Sequence, residues 1–181
     1  MGITEEQKIR IDKTLKGKIL DIGGGGEGVI SRIYRQQVTA IDNLQEELDG
    51  VPDICTKILM NATSLSFGEC TFDHATAFYS LMYMTREEQK KAIKEVCRVL
   101  KQGGAFHIWD TVITSAYPDP FNVNLEIEAS GNIIHTTYGI VKKDTQNMEL
   151  FIAMCEETGM VLSEKSSCNS QFYLRFCKYT Q

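Results

Sequence analysis

Two carboxylates stand at the ends of two short apolar runs, Asp21 after Ile19-Leu20 and Asp42 after Val38-Thr39-Ala40-Ile41. Between them Ile22 opens into Gly23-Gly24-Gly25-Gly26-Glu27-Gly28, and the chain resumes at Val29-Ile30-Ser31-Arg32-Ile33-Tyr34 with helical spacing. That is a strand, a tight turn and a helix start, the unit that builds a nucleotide pocket in open α/β sheets. Residues without a Cβ let a ligand touch the backbone. A carboxylate at the end of the next strand accepts both hydroxyls of a ribose. The chemistry to expect is the holding of an adenosine-containing small molecule. Gly23, Gly25 and Gly28 also fit G-x-G-x-x-G, so an NAD-binding oxidoreductase competes as a reading.

These residues need a scaffold, and the 181-residue chain reads as a single domain, 1–181, with 43% hydrophobic residues and an ordinary 24% charged. Residues 1–16 are expected to carry an amphipathic helix over 4–16, with Thr4 and Gln7 as a capping box. Strands are expected at 18–22, 38–42, 54–60, 72–78 and 105–109, a helix at 27–36 and a helical turn over 44–50. Thr85 to Gln89 caps the clearest helix, whose Ala92, Ile93, Val96, Val99 and Leu100 recur at helical spacing until Gly103-Gly104. This alternation predicts a parallel sheet with helices on both faces. Beyond Asp110 the pattern changes. Alternation over 121–127 and again over 133–141, around Gly131-Asn132, predicts an antiparallel hairpin. A helix over 145–158 and two strands, 160–167 and 171–178, complete the chain.

Composition narrows the partners. A net charge of −5 with no basic stripe argues against nucleic acid. No apolar run approaches the ~20 residues that span a bilayer, and no signal peptide is legible, so no membrane and a cytoplasmic location are expected. Six scattered cysteines read as free or buried thiols, and the three histidines lack ligand spacing, so no metal is expected.

Four segments, in this order, resemble the class I S-adenosylmethionine (SAM) dependent methyltransferases over about residues 17–178. They are the glycine loop with Asp42, the run Asn61-Ala62-Thr63-Ser64-Leu65-Ser66-Phe67, the run Phe72–Leu81, and Arg98-Val99-Leu100-Lys101-Gln102-Gly103-Gly104. The resemblance implies a Rossmann-like α/β fold with a seven-stranded, mostly parallel sheet. Its order would be 3-2-1-4-5-7-6, with the last strand antiparallel and the hairpin inserted after strand 5. It implies SAM as cofactor and S-adenosyl-L-homocysteine (SAH) as product. Asp21, Gly23 and Gly25 would cradle the methionine part and ribose, and Asp42 would take the ribose hydroxyls. Asn43 and Leu44 would lie beside the adenine, and Asn61 and Ala62 would read its edge. Phe78, Tyr79 and Ser80 would border the sulfonium. Two departures bear on the site: Glu27 stands where a glycine is common, and Asn61 replaces an aspartate, leaving its carbonyl to accept the adenine N–H.

Methyl transfer from a sulfonium is an in-line displacement that chiefly needs alignment and exclusion of water. Where a base is needed, Tyr79 and Asp110 are the catalytic candidates, with Tyr83, Trp109 and Thr111 nearby in sequence. Tyr79 reads rather as a wall of the cofactor, and His107 as a hydrogen-bonded core histidine. Leu81-Met82-Tyr83-Met84 reads as packing. Residues 112–141, with His135 and Tyr138, would form a lid or present a solvated face. The expected acceptor is a small molecule. A methyltransferase-like protein that holds SAM without turnover is the remaining alternative.

Overall fold

The computed structural model describes residues 3–114 and 117–179; parts of the expected 1–16 and 112–141 segments lie outside them. The glycine turn sits where expected, between β2 (Ile19–Ile22) and α1 (Val29–Tyr34). β3 (Val38–Asp42) and α2 (Gln45–Gly50) follow, then β4 (Thr56–Leu59) and β5 (Phe72–Phe78). α3 (Arg86–Val99) starts at a complete capping box. The Glu88 N–H donates to Thr85 Oγ1 at 3.3 Å and the Thr85 N–H to Glu88 Oε2 at 2.8 Å. Its stripe of Ala92, Ile93, Val96 and Val99 is buried against the sheet, each large member contributing about 1.5–3 kcal/mol.

β6 (Leu100–Thr111) begins directly after α3, so Gly103-Gly104 is not the stop between helix and strand that the sequence suggests. Leu100 already pairs with Phe72, and the glycines lie within the strand where the register shifts before His74 meets Ala105. α4 (Met148–Glu156) is shorter than its apolar pattern. Asn147 caps it, accepting from the Leu150 N–H at 2.9 Å, because Gln146 is held in a backbone pair with Ile113. β9 (Met160–Cys168) and β10 (Gln171–Lys178) close the chain.

The main sheet runs β4-β3-β2-β5-β6-β10-β9. Numbered among themselves, its strands read 3-2-1-4-5-7-6. β10 is antiparallel to both neighbours, whereas the β2–β3, β2–β5, β3–β4 and β5–β6 pairs are parallel.

The N-terminal helix is corrected. Ile3–Ile11 is a strand, β1, pairing in parallel along its whole length with β7 (Phe121–Ala129). β7 forms the expected hairpin with β8 (Asn132–Ile140), giving a second sheet ordered β1-β7-β8. The residues that turn inward on β1 are Gln7, Ile9 and Ile11, two apart rather than three or four. The Thr4–Gln7 cap is absent because Gln7 reaches inward to the main sheet. A parallel partner more than a hundred residues away outweighs a weak local helical preference.

Two apolar clusters flank the main sheet. One lies under α3 and α4, around Ile93, Val96, Phe106, Phe151 and Leu174. The other lies under α1 and the second sheet, where Ile9, Ile11, Val123, Leu125 and Ile127 pack against Ile19, Trp109 and Tyr173.

Candidate active site

The chain runs from β2 through β3 to β4 on one side, then returns to build β5 and β6 on the other. The crevice at the carboxyl ends of β2 and β5 is therefore the switch point at which open α/β sheets bind ligands. A cavity of about 600 Å³ opens there, within the 300–1,000 Å³ usual for ligand sites. Its wall includes Gly23, Gly25, Asp42, Asn43, Leu44, Asn61, Ala62, Phe78, Tyr79 and Ser80, ten of the eleven residues that the resemblance implies for cofactor binding.

The glycine loop is shaped by what surrounds it. Gly23 has φ +65°, and a Cβ there would come within 2.5 Å of Ser80 Cβ. A Cβ on Gly25 would fall 2.5 Å from Glu47 Cβ and 2.7 Å from Asp42 Oδ2. Asp42 ties the loop to the next strand: Oδ2 accepts from the Gly25 N–H at 3.3 Å and Oδ1 from the Leu44 N–H at 3.1 Å. Each oxygen keeps a lone pair for the cavity.

The eleventh residue, Asp21, is behind the loop rather than in the wall. It is buried, accepts from Thr76 Oγ1 at 2.7 Å, and is pushed up to about 7 by burial, with the Asp42 charge adding to the rise and the Thr76 hydrogen bond opposing it. Asn61 also departs from expectation. Its Oδ1 already accepts from the Thr63 N–H at 2.9 Å and Thr63 Oγ1 at 2.8 Å, so the uncommitted group is the Nδ2 donor.

Of the two catalytic candidates, Tyr79 lines the cavity and Asp110 does not. Tyr79 sits at φ +49° at the crest of the turn after β5. Its hydroxyl donates to Gln7 Oε1 at 2.5 Å, and Gln7 Nε2 donates in turn to Thr111 Oγ1 at 2.8 Å. Burial, with Asp110 and Glu5 nearby, pushes the Tyr79 phenol far up, so it stays a proton donor. Asp110 is 0% exposed. Its Oδ1 accepts from the Thr111 N–H at 2.8 Å and Gln146 Nε2 at 2.7 Å, while Oδ2 has no partner among the described residues. Burial pushes it up to about 7 against those hydrogen bonds. Gln146 is linked onward to Gln89, which donates to the Leu81 carbonyl at 2.9 Å. Asp110 thus belongs to a buried network supporting the 3-10 turn Leu81–Tyr83.

His107 is the hydrogen-bonded core histidine expected. Its Nδ1 lies 2.9 Å from Tyr173 Oη and its Nε2 lies 3.2 Å from His74 Nδ1, and burial brings it down to about 3. Met82 is buried packing, but Tyr83 and Met84 line the cavity. His135 does not line it, whereas Thr137 and Tyr138 of β8 form part of the wall.

Glu27 explains how the hairpin is seated. Its Oε1 accepts from Thr136 Oγ1 at 2.5 Å and its Oε2 from Tyr138 Oη at 3.1 Å, pinning β8 to the glycine loop. Sequence reading noted Glu27 as a departure without assigning it this role, and it missed Glu47 and Glu88 in the wall. The wall holds four carboxylates, Glu27, Asp42, Glu47 and Glu88, and among its described residues no lysine, arginine or histidine. Burial and the charges of Asp42, Glu27 and Glu46 raise Glu47 above the usual carboxylate range. No group of histidine, cysteine and acidic side chains suited to a metal occurs among the described residues. No helix among them is long and apolar enough to cross a membrane.

Residues 20–108 match a family model described as a methyltransferase domain. A sterol 4-C-methyltransferase of Caenorhabditis elegans is 33% identical across 54% of this chain and 32% of its own length. A 24-methylenesterol C-methyltransferase of Arabidopsis thaliana is 29% identical across 65% and 36%. The chain thus spans about a third of these relatives. A SAM-dependent methyltransferase from Methanosarcina mazei shares the fold, with a TM-score of 0.64 over 92% of this chain and 95% of that one at 19% identity. So does a [4+2]-cyclase, at 0.64 over 92% and 78% with 18% identity. Residues 20–108 thus match the methyltransferase-domain family, and the glycine loop, strand order and switch-point cavity give the chain the class I SAM-dependent methyltransferase fold.

Proposed function

We propose that this chain binds SAM at the β2–β5 switch point and transfers its methyl group to a small-molecule acceptor. The observation that carries the reading is the cavity wall: a glycine loop packed too closely on Ser80, Asp42 and Glu47 to admit a Cβ, the Asp42 carboxylate beside it, and an acidic lining without a cation. That lining suits a ligand of net positive charge. It opposes the pyrophosphate of NAD, which calls for backbone donors and no surplus of carboxylates.

In this reading Asp42 holds the ribose and Leu44 covers the adenine. Asn61 Nδ2 donates to a ring nitrogen of the base, its carbonyl being taken by Thr63. SAM supplies a methyl group on an electrophilic sulfonium. Phe78, Tyr79 and Tyr138 exclude water from the transfer, and Tyr79, tied to Gln7, keeps the wall rigid. Neither Tyr79 nor Asp110 acts as base: the first holds its proton and the second is buried away from the cavity.

The test is conversion of SAM to SAH, followed by mass spectrometry with a library of small acceptors. Formation of SAH that depends on an acceptor and is lost in Asp42→Ala supports the reading. A protein of this fold is named a [4+2]-cyclase, so SAM binding without SAH formation would favour a non-transferring role.

A further inference from the structure

Part of the cavity wall is built from aromatic rings and carboxylates. Tyr138 faces Tyr79 with ring centroids 6.1 Å apart, and stands edge-on to Tyr83 at 6.5 Å and 83°. Phe78 adjoins Tyr79 at 5.1 Å. Two segments distant in sequence, the continuous stretch 78–83 after β5 and β8, thus converge on the wall. Glu27 and Glu88 line the same cavity. Tyr138 donates its hydroxyl to Glu27, which makes its ring more electron-rich.

Charge sharpens the point. The partners of Glu27 are neutral hydroxyls, and those of Asp42 are backbone N–H groups. SAM, with one carboxylate, one ammonium and one sulfonium, would bring a single net positive charge to Glu27, Asp42 and Glu47, Glu88 having Lys142 and Lys91 near it. Rings arranged about a carboxylate-flanked space attract a desolvated cation through their faces. We infer that the methyl acceptor is an aliphatic amine whose methylated, cationic nitrogen is held by Tyr79, Tyr83 and Tyr138 beside Glu27. This inference rests on the methyltransferase reading above.

The chemistry is balanced without a protein base. With a tertiary amine, the nitrogen lone pair forms the new N–C bond as the C–S bond breaks and its electron pair stays on sulfur. The amine reacts as its free base, its ammonium proton having passed to solvent before the transfer; in the transfer itself the positive charge passes from sulfur to nitrogen and no further proton is lost.

Calorimetric titration tests this with two probes, choline and its neutral carbon isostere 3,3-dimethylbutanol, against protein saturated with SAH. Choline is expected to bind at least roughly tenfold more tightly than the isostere. Tyr83 is half exposed, so its replacement spares the fold; Tyr83→Leu should weaken choline about tenfold and Tyr83→Phe should restore it. Equal binding of the two probes, no choline binding up to millimolar concentration, or choline binding only without SAH overturns the inference. SAH itself is titrated first. If SAH fails to bind, the methyltransferase reading fails; if SAH binds and choline does not, only the amine assignment falls.

Discussion

The two halves of the cavity are built in different ways. The half around Asp42 comes from one local unit, β2, the glycine turn and the end of β3, with the β2 to β3 stretch contained in residues 19–42. The half around Tyr138 is assembled from β1, β5, the turn before α3 and β8, segments separated by up to about 130 residues and joined by side-chain hydrogen bonds. The first depends on backbone shape that few residue types can adopt. The second depends on pairings between groups that are individually ordinary. The local half should therefore fail abruptly on substitution, and the assembled half in small steps.

The largest effect is expected at Gly25. Gly25→Val would place atoms within 2.7 Å of both Glu47 and Asp42, displacing the loop and the Asp42 carboxylate that line the cavity. SAM affinity should fall by roughly 100-fold or more, equivalent to about 2.7 kcal/mol. Calorimetry with far-ultraviolet circular dichroism would check it. Near-normal affinity in a folded variant would show that the loop is not the cradle.

An intermediate effect is expected where the halves meet. Tyr138→Phe keeps the ring and deletes the hydrogen bond to Glu27, so stability should drop by about 0.5–1.5 kcal/mol and thermal melting by a few degrees. Glu27→Gln combined with it should cost less than the sum of the two single changes, because they share the Tyr138–Glu27 contact while Glu27 also meets Thr136. Full additivity in a double-mutant cycle would mean that the two residues act separately.

Much of the first half was legible in the sequence because glycines and strand-end carboxylates carry their constraint in their own identity. The parallel sheet followed from the alternation of apolar runs and helices, and its strand order from the resemblance. The second half was hidden for a physical reason. β1 looks helical by its Thr4–Gln7 spacing, but its inward residues are set by a parallel partner in β7. Likewise Glu27 reads as a lost glycine until Thr136 and Tyr138 are brought to it. Asp110 stands at a strand end as a catalytic carboxylate would, and only its burial shows that it supports the wall from behind.

That last distinction gives the smallest effect on turnover. Asp110→Asn should change the rate only a few-fold, against the 100-fold or greater loss expected on removing a general base. Its signature is in stability against pH. Asp110 is raised from 3.8 to about 7, so the folded state favours its protonated form. That contribution is complete below about 3.8 and is lost as pH rises through about 7. The Asn variant should lose less stability than the wild type between pH 5 and 8; Asp21 titrates alike in both proteins and cancels from the difference. Identical pH profiles would contradict a buried carboxyl whose protonated form the fold favours.

The central claim is that the acidic crevice at the β2–β5 switch point is a SAM site. Its most direct test is a thermal-shift titration of wild type and Asp42→Ala with SAM and with NAD. At a hundredfold excess over Kd, SAM should stabilise the wild type by about 2.7 kcal/mol, a rise in Tm of roughly 5–10 °C. Asp42→Ala should lose most of that rise, and NAD should give none. A shift with NAD, or a SAM shift that Asp42→Ala leaves intact, would contradict the account.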